Sequence, residues 1–265
     1  MTVERGEPGT PEWADLAAPH LARYLFAAGF ANGRRVLDLG SGAGYGAAVL
    51  RSTGAAAVHG VDVDPEAVSQ AQVRHGGPGV TFAVDDCQQL ASSPGSWDVI
   101  CCFEAIEHVP QPEELLVAAG RHLAPDSVLL VSTPDRASTA PFVHGRPRNR
   151  FHEHEWYRDE FLALVRRHFH DVELHVQVET AAAQARRDAV AALRQGLMAS
   201  NPLFVLAWRK WPWRRRDERP WAKLAGLAAP GITDFPIVPA AVADVYGSPR
   251  FHVAVCRRPI AGEVA

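Results

Sequence analysis

The chain has no surplus of positive charge: 27 Lys and Arg stand against 30 Asp and Glu in 265 residues, a formal net charge of −3. No global field therefore draws it to nucleic acid or to an anionic membrane. Cysteine is scarce, and none of Cys87, Cys101, Cys102 and Cys256 forms a C-x-x-C pair. That argues against a disulfide framework and reads as reduced, buried thiols in a cytoplasmic protein. No uncharged stretch reaches about 18 residues, which leaves no candidate for a membrane-spanning helix. The N-terminal MTVERGEPGTPEW has no apolar h-region, so a secretory leader is not expected. Internal repeats are missing, as is any low-complexity tract beyond a richness in alanine.

What is there is ordinary for a globular protein: 47% hydrophobic and 22% charged residues. Short apolar runs alternate with stretches of helical periodicity. Strands are expected at 34–39, 56–61, 80–84, 97–103, 128–132, 172–178 and 251–257. Helices are expected at 11–29, 45–52, 64–75, 112–122 and 157–169, the third with Asp64 as N-cap and Pro65 at its first position. This alternation implies a seven-stranded, mostly parallel sheet covered by helices on both faces, an αβα arrangement of three layers. Residues 179–250 are longer than a hairpin between the last two strands needs. They read as a helical insertion or substrate lid, with a helix over 181–198, inside a single domain spanning 1–265.

The strongest signal is VLDLGSGAG, residues 36–44. Glycines after a first strand let the backbone turn tightly and let a ligand approach without Cβ clashes. The acid at the strand end, Asp38, suits a cationic group better than a pyrophosphate. Asp62 ends the second strand 24 positions later, near the spacing at which an acid accepts ribose hydroxyls. Asp85 and Asp86 end the third. Each acid alone reads as a solvated group or a helix cap; three on successive strand ends point to one nucleoside crevice.

VLDLGSGAGYG resembles the first motif of class I S-adenosylmethionine (SAM)-dependent methyltransferases. GVDVDPEAV, VTFAVDDCQQL, WDVICCFEAIEHV and LAPDSVLLVSTPD are similar to the motifs that follow it, in order, over about residues 34–178. The resemblance implies a Rossmann-like fold and SAM as cofactor. It also implies that Asp38 faces the methionine amino group, that Gly40 and Gly42 pack on the cofactor, and that Asp62 takes the ribose hydroxyls with Val63 beside it. Asp86 would take the adenine amine and Cys87 lie beside the ring, with Phe103 in the same set. Asp86 is preferred to Asp85 because Cys87 replaces the Ala of the family's Gly-Asp-Ala. Asp126-Ser127 departs from the usual Gly-Gly turn, and Asp135 stands where Asn is common.

Glu104, Glu107 and His108 follow the fourth strand, where acceptor and methyl group would meet. Two carboxylates and an imidazole on a short loop can do acid–base work or bind a metal. In ubiquinone-type O-methyltransferases and Hen-type small-RNA 2′-O-methyltransferases a similar Glu-x-x-Glu-His holds a divalent cation. HEHEWYRDEF is similar to the later Hen-type run and aligns His152 with its ligand. The implied metal set is Glu104, Glu107, His108 and His152, for Mg²⁺ or Mn²⁺. The plainer alternative is a fold signature in which Glu104 supports the cofactor pocket, Glu107 caps, and His108 is a base or a core histidine. His108 and Glu104 are the expected catalytic residues.

Trp208 to Arg216, with Trp221, concentrates indoles and arginines. It reads as a lid packing on the sheet, or as a stacking surface for sugars or bases. The function expected is O-methylation of a hydroxyl on a small glycosylated or phenolic metabolite. The Ala-, Arg- and Pro-rich composition fits bacterial secondary metabolism. The alternatives are a metal-dependent RNA 2′-O-methyltransferase and, from another class, a SAM- or nucleoside-binding module without catalysis. A small-molecule partner and a homodimer are compatible with the first; nucleic acid is not expected.

Overall fold

Five strands running the same way build one half of a single sheet. The computed structural model describes residues 11–93, 95–139, 141–142, 145–200 and 231–260; the Trp/Arg-rich stretch at 208–221 lies outside them. The chain runs α1 (Pro11–Ala31), β1 (Arg35–Leu39), α2 (Tyr45–Ser52), β2 (Ala57–Asp62), α3 (Pro65–His75), β3 (Val80–Val84) and β4 (Trp97–Phe103). A 3₁₀ turn (Ile106–His108) leads to α4 (Pro112–His122), β5 (Leu123–Pro134), α5 (Arg158–Arg166) and β6 (Phe169–Glu179). Then come α6 (Ala181–Ser200), β7 (Ile237–Pro239), a short helix α7 (Ala243–Tyr246) and β8 (Ser248–Pro259).

The sheet order is β3-β2-β1-β4-β5-β8-β6-β7. The pairs from β3 to β5 are parallel, whereas β8 runs antiparallel to both β5 and β6. The order reverses between β1 and β4, and that switch point opens a crevice at the carboxyl ends of the strands.

Alternate residues of each strand feed opposite cores. Leu37, Leu39, Ile100, Cys102, Leu129 and Val131 pack with Leu115 and Leu116 of α4 and Phe161 and Val165 of α5. Val36, Val58, Val99, Cys101 and Leu130 pack with Tyr24 and Ala27 of α1 and Leu50 of α2. Burial on both faces explains why these strands read as continuous apolar runs. Each fully buried Leu or Ile contributes roughly 1.5–3 kcal/mol.

Among the described residues the expected seven strands are eight. The addition, β7, is three residues preceded by Pro236 and ending in Pro239, and it pairs at the sheet edge with His175, Val176 and Gln177. An edge position tolerates proline because one side of the strand needs no ladder bonds. The region between β6 and β8 is thus not wholly helical: it holds β7 as well as α6 and α7. Asp64 caps α3 as expected, accepting from the Glu66 N–H at 2.8 Å. Asp126 stands in for a turn glycine by taking a left-handed backbone (φ +58°), a conformation Asp reaches more readily than most side chains. Among the described residues no helix is long and apolar enough to cross a membrane.

Candidate active site

The glycine turn shapes the crevice first. Gly40 has φ +69°, and a Cβ there would lie 2.8 Å from the Cβ of Ala105, so the β1 and β4 loops meet only because the side chain is missing. Gly42 has φ +50° with no atom within 4 Å of where its Cβ would stand, and it borders the open cleft. That cleft holds about 420 Å³, in the range of cofactor and small-ligand sites. Gly40, Gly42, Asp62, Val63, Asp86 and Cys87 line one side of it, and Phe103, Glu104 and His108 also border it.

The acids divide by what their oxygens already hold. The two oxygens of Asp62 accept from the N–H groups of Gly42 and Asp64, each at 3.0 Å. The carboxylate is thereby oriented by backbone at the cleft wall. Asp85 is occupied by its own loop: it accepts from the N–H groups of Asp86, Ala91 and Ser92 and from the Ser93 hydroxyl. The Asp86 carboxylate accepts from the backbone and side chain of Gln88, and Asp86 borders the cleft. Burial pushes the Cys87 thiol up to about 12, so it is a neutral, apolar wall.

Asp38 lies beneath the cleft rather than on its surface. It is fully buried, and both oxygens accept from the Tyr24 hydroxyl at 3.1 and 3.2 Å. Burial raises its carboxyl to about 7; the Tyr24 hydrogen bond opposes that rise and the charge of Asp62 adds to it.

Helix α1 forms another wall of the cleft. His20 and Tyr24 line the cleft, and His20 Nδ1 lies 2.8 Å from the hydroxyl of Tyr45, another lining residue. Burial, then the charge of Arg23, holds the His20 imidazole well below its usual pKa. Arg23 is fully buried, stacks over Phe251 at 4.5 Å and donates to Gln177. The available signal was the i, i+4 spacing of His20 and Tyr24 within an apolar stripe, which by itself is equally a surface pattern.

The Glu-x-x-Glu-His motif splits in two. Glu104 adopts a left-handed backbone (φ +56°), a conformation costing a non-glycine residue about 1–3 kcal/mol. Its carboxylate accepts from the Ser132 hydroxyl at 2.8 Å and lies 4.0 Å from the Arg23 guanidinium. Glu107 turns the other way, into the protein, 1% exposed. Burial, then the charge of Glu104, raises its carboxyl well above the usual range, and among the described residues one oxygen has no hydrogen-bond partner. Ligand atoms of Glu107, His108 and His152 all lie within 4.8 Å of one another. Glu104 is not in that trio, so of the expected set of four the structure brings three together. Its carboxylate is instead engaged by Ser132 and Arg23.

The trio's imidazoles are oriented. His108 Nδ1 is 2.9 Å from the Phe151 carbonyl, which can only accept, so Nδ1 carries the proton and Nε2 the lone pair. The rings of His108 and His152 meet edge to face, 5.0 Å between centroids. Two imidazole nitrogens and a buried carboxylate are a donor set for a divalent cation.

Known proteins resemble this chain over most of its length. The profile of a family described as "Methyltransferase domain" matches residues 12–183. A protein of Mycolicibacterium smegmatis named "Probable S-adenosylmethionine-dependent methyltransferase" is 33% identical over 98% of this chain and 95% of its own length. A ubiquinone biosynthesis O-methyltransferase of Xanthomonas euvesicatoria is 36% identical over 41% of this chain; the match spans 46% of that relative, about half its length. Among solved structures, a SAM-dependent methyltransferase from Thermotoga maritima superposes with a TM-score of 0.57 at 16% identity, covering 91% of this chain and 89% of the other. A Haemonchus contortus phosphoethanolamine N-methyltransferase in complex with SAM gives 0.59 at 19% identity, covering 94% and 56%.

Proposed function

The chain belongs to the methyltransferase-domain family and is a SAM-dependent methyltransferase, and from that premise we propose that it methylates a hydroxyl oxygen of a small metabolite, of the glycosylated or phenolic kind. A binding module without catalysis gives way to an enzyme on the same grounds. The observation that carries the acceptor reading is the pairing, on one cleft, of cofactor-type acids with the proton-accepting groups Glu104 and His108.

The cleft fits SAM. The backbone-held Asp62 would take the ribose hydroxyls, Asp86 the adenine amine, and Gly40 and Gly42 would lie against the cofactor. Val63, Cys87 and Phe103 supply apolar walls. Asp38, one layer down, would answer the cationic amino group. When bound, SAM supplies a sulfonium-borne methyl group, an electrophile that the protein need not activate. The chain must orient a hydroxyl in line and accept its proton.

Glu107, His108 and His152 would hold a divalent cation, Mg²⁺ or Mn²⁺, which when bound lowers the pKa of a nearby hydroxyl. Glu104, outside the trio, is then the cleft carboxylate that takes up the proton; without a cation the Nε2 of His108 does so. The test is thermal stability with S-adenosylhomocysteine, and methyl transfer to a panel of catechols and sugars, each with and without EDTA. A stabilisation by ligand together with transfer to a hydroxyl is expected. Transfer only to nitrogen or carbon would overturn the O-methylation reading, and activity unmoved by EDTA the cation.

A further inference from the structure

Glu155 is not among the three residues of the cation trio, yet its side chain is only 2% exposed. Burying a carboxylate is costly unless its oxygens are used. Here both are. One accepts from the Thr139 hydroxyl at 2.6 Å, and the other lies 2.9 Å from Nδ1 of His152. A carboxylate only accepts, so Nδ1 carries the proton and Nε2 of His152 the lone pair. His108 reaches the same tautomer through the Phe151 carbonyl. Two neighbouring histidines, oriented by unrelated acceptors, thus present the same nitrogen. A simple buried ion pair would need only one of them oriented.

The support behind Glu155 is itself fixed to the sheet. Thr139 sits on the turn that follows β5, where the Asp135 side chain accepts from the Ala137 N–H and the Asp135 carbonyl from the Ser138 N–H. The turn is stitched to the HEHEW run by the Arg136 N–H, which donates to the Trp156 carbonyl at 3.0 Å. Asp135 is in turn held against the fully buried His252 of β8, 3.4 Å away. The orientation of His152 therefore derives from the ends of β5 and β8.

We propose that Glu155, braced by Thr139, is the positioning residue that fixes the His152 tautomer and presents its Nε2 to the divalent cation held with Glu107 and His108. This rests on the cation reading above. A carboxylate behind a ligand histidine orients the ring and strengthens it as a donor, and losing such a partner costs about 10–100-fold in metal affinity.

The experiment titrates the full chain with Mn²⁺, following the free ion by electron paramagnetic resonance, and reads the His152 tautomer by ¹⁵N NMR without metal. Expected are Mn²⁺ binding by the unaltered protein, about 10–100-fold weaker binding by Glu155→Gln, a smaller loss for Thr139→Val, and an Nδ1-protonated His152 whose signature changes in Glu155→Gln. S-adenosylhomocysteine affinity serves as the check that each variant is folded. If the unaltered protein binds Mn²⁺ and Glu155→Gln binds it equally well, this inference is overturned and the cation reading stands. An Nε2-protonated His152 in the unaltered protein would overturn it too. If the unaltered protein binds no Mn²⁺ at millimolar concentration, both fall.

Discussion

The Tyr24 hydroxyl straddles the Asp38 carboxyl, 3.1 Å from one oxygen and 3.2 Å from the other. One residue comes from the helix that walls the cleft and the other from the strand that floors it, so the contact ties α1 to the glycine turn. Since this buried acid titrates near pH 7 rather than near 4, its protonation would be coupled to the binding of any cationic group beside it.

The first prediction concerns pH. Without ligand, Asp38 is protonated below about 7. The folded state then holds its proton more tightly than the unfolded chain does. That contribution to stability is complete below about pH 4 and lost as pH rises through about 7. A cationic amino group beside Asp38 favours the ionised form. S-adenosylhomocysteine should therefore release a proton on binding near pH 6.5, and its affinity should climb between pH 5.5 and 8 and level off above. Calorimetry in buffers of different ionisation heat reads the release, which Asp38→Asn should abolish. Tyr24→Phe removes a bond that lowers the Asp38 pKa, so the midpoint should move up.

The neighbouring acids should separate ligand contact from loop architecture. Asp62→Ala should weaken S-adenosylhomocysteine binding by about 1–3 kcal/mol through lost charge-assisted bonds. Asp85→Ala instead strands the donors at Asp86, Ala91, Ser92 and Ser93. It should lower the melting temperature by roughly 2–4 °C for each kcal/mol lost. Asp85→Ala with unchanged melting and weakened binding would reverse the assignment.

Two glycines offer a second separation. Gly40→Ala drives a methyl to within 2.8 Å of Ala105 at a left-handed position and should cost stability, about 1 kcal/mol or more. Gly42→Ala meets no protein atom but protrudes beside the cleft, so its larger effect should be on cofactor affinity. Melting curves with and without ligand distinguish the two.

His108→Ala and Glu104→Gln should each lower methyl transfer by roughly 100-fold or more while leaving S-adenosylhomocysteine affinity within about twofold. Single-turnover rates beside calorimetric affinities measure this. Full turnover in Glu104→Gln would strip that residue of its proton-accepting role, and full turnover in His108→Ala would strip His108 of both its cation-holding and its proton-accepting roles.

The gathering of Gly40, Gly42, Asp62 and Asp86 on one cleft was legible because these residues lie at or just past strand ends, which can be read from apolar runs. Asp86 could be told from Asp85 only by family resemblance, and the hydrogen bonds of Asp85 now supply a physical ground for the choice. The α1 wall was not legible: whether His20 and Tyr24 face solvent or cleft depends on how α1 lies across β4, a contact between distant segments. Nor could Glu104, which borders the cleft, be parted from Glu107, which is buried, by their spacing alone. A three-residue strand that follows Pro236 and ends in Pro239 leaves no period to detect, which is why β7 escaped.

Strand β8 wedges between β5 and β6, which never pair with each other directly. Until Ser248 to Pro259 are in place, two long strands therefore present raw edges, each an invitation to pair with another chain. During synthesis the nucleoside-facing half can zip up early, while the far half waits for a late-made segment. A nascent chain halted before Ser248 should thus clump rather than fold, and a chaperone would find its grip along the unsealed seam.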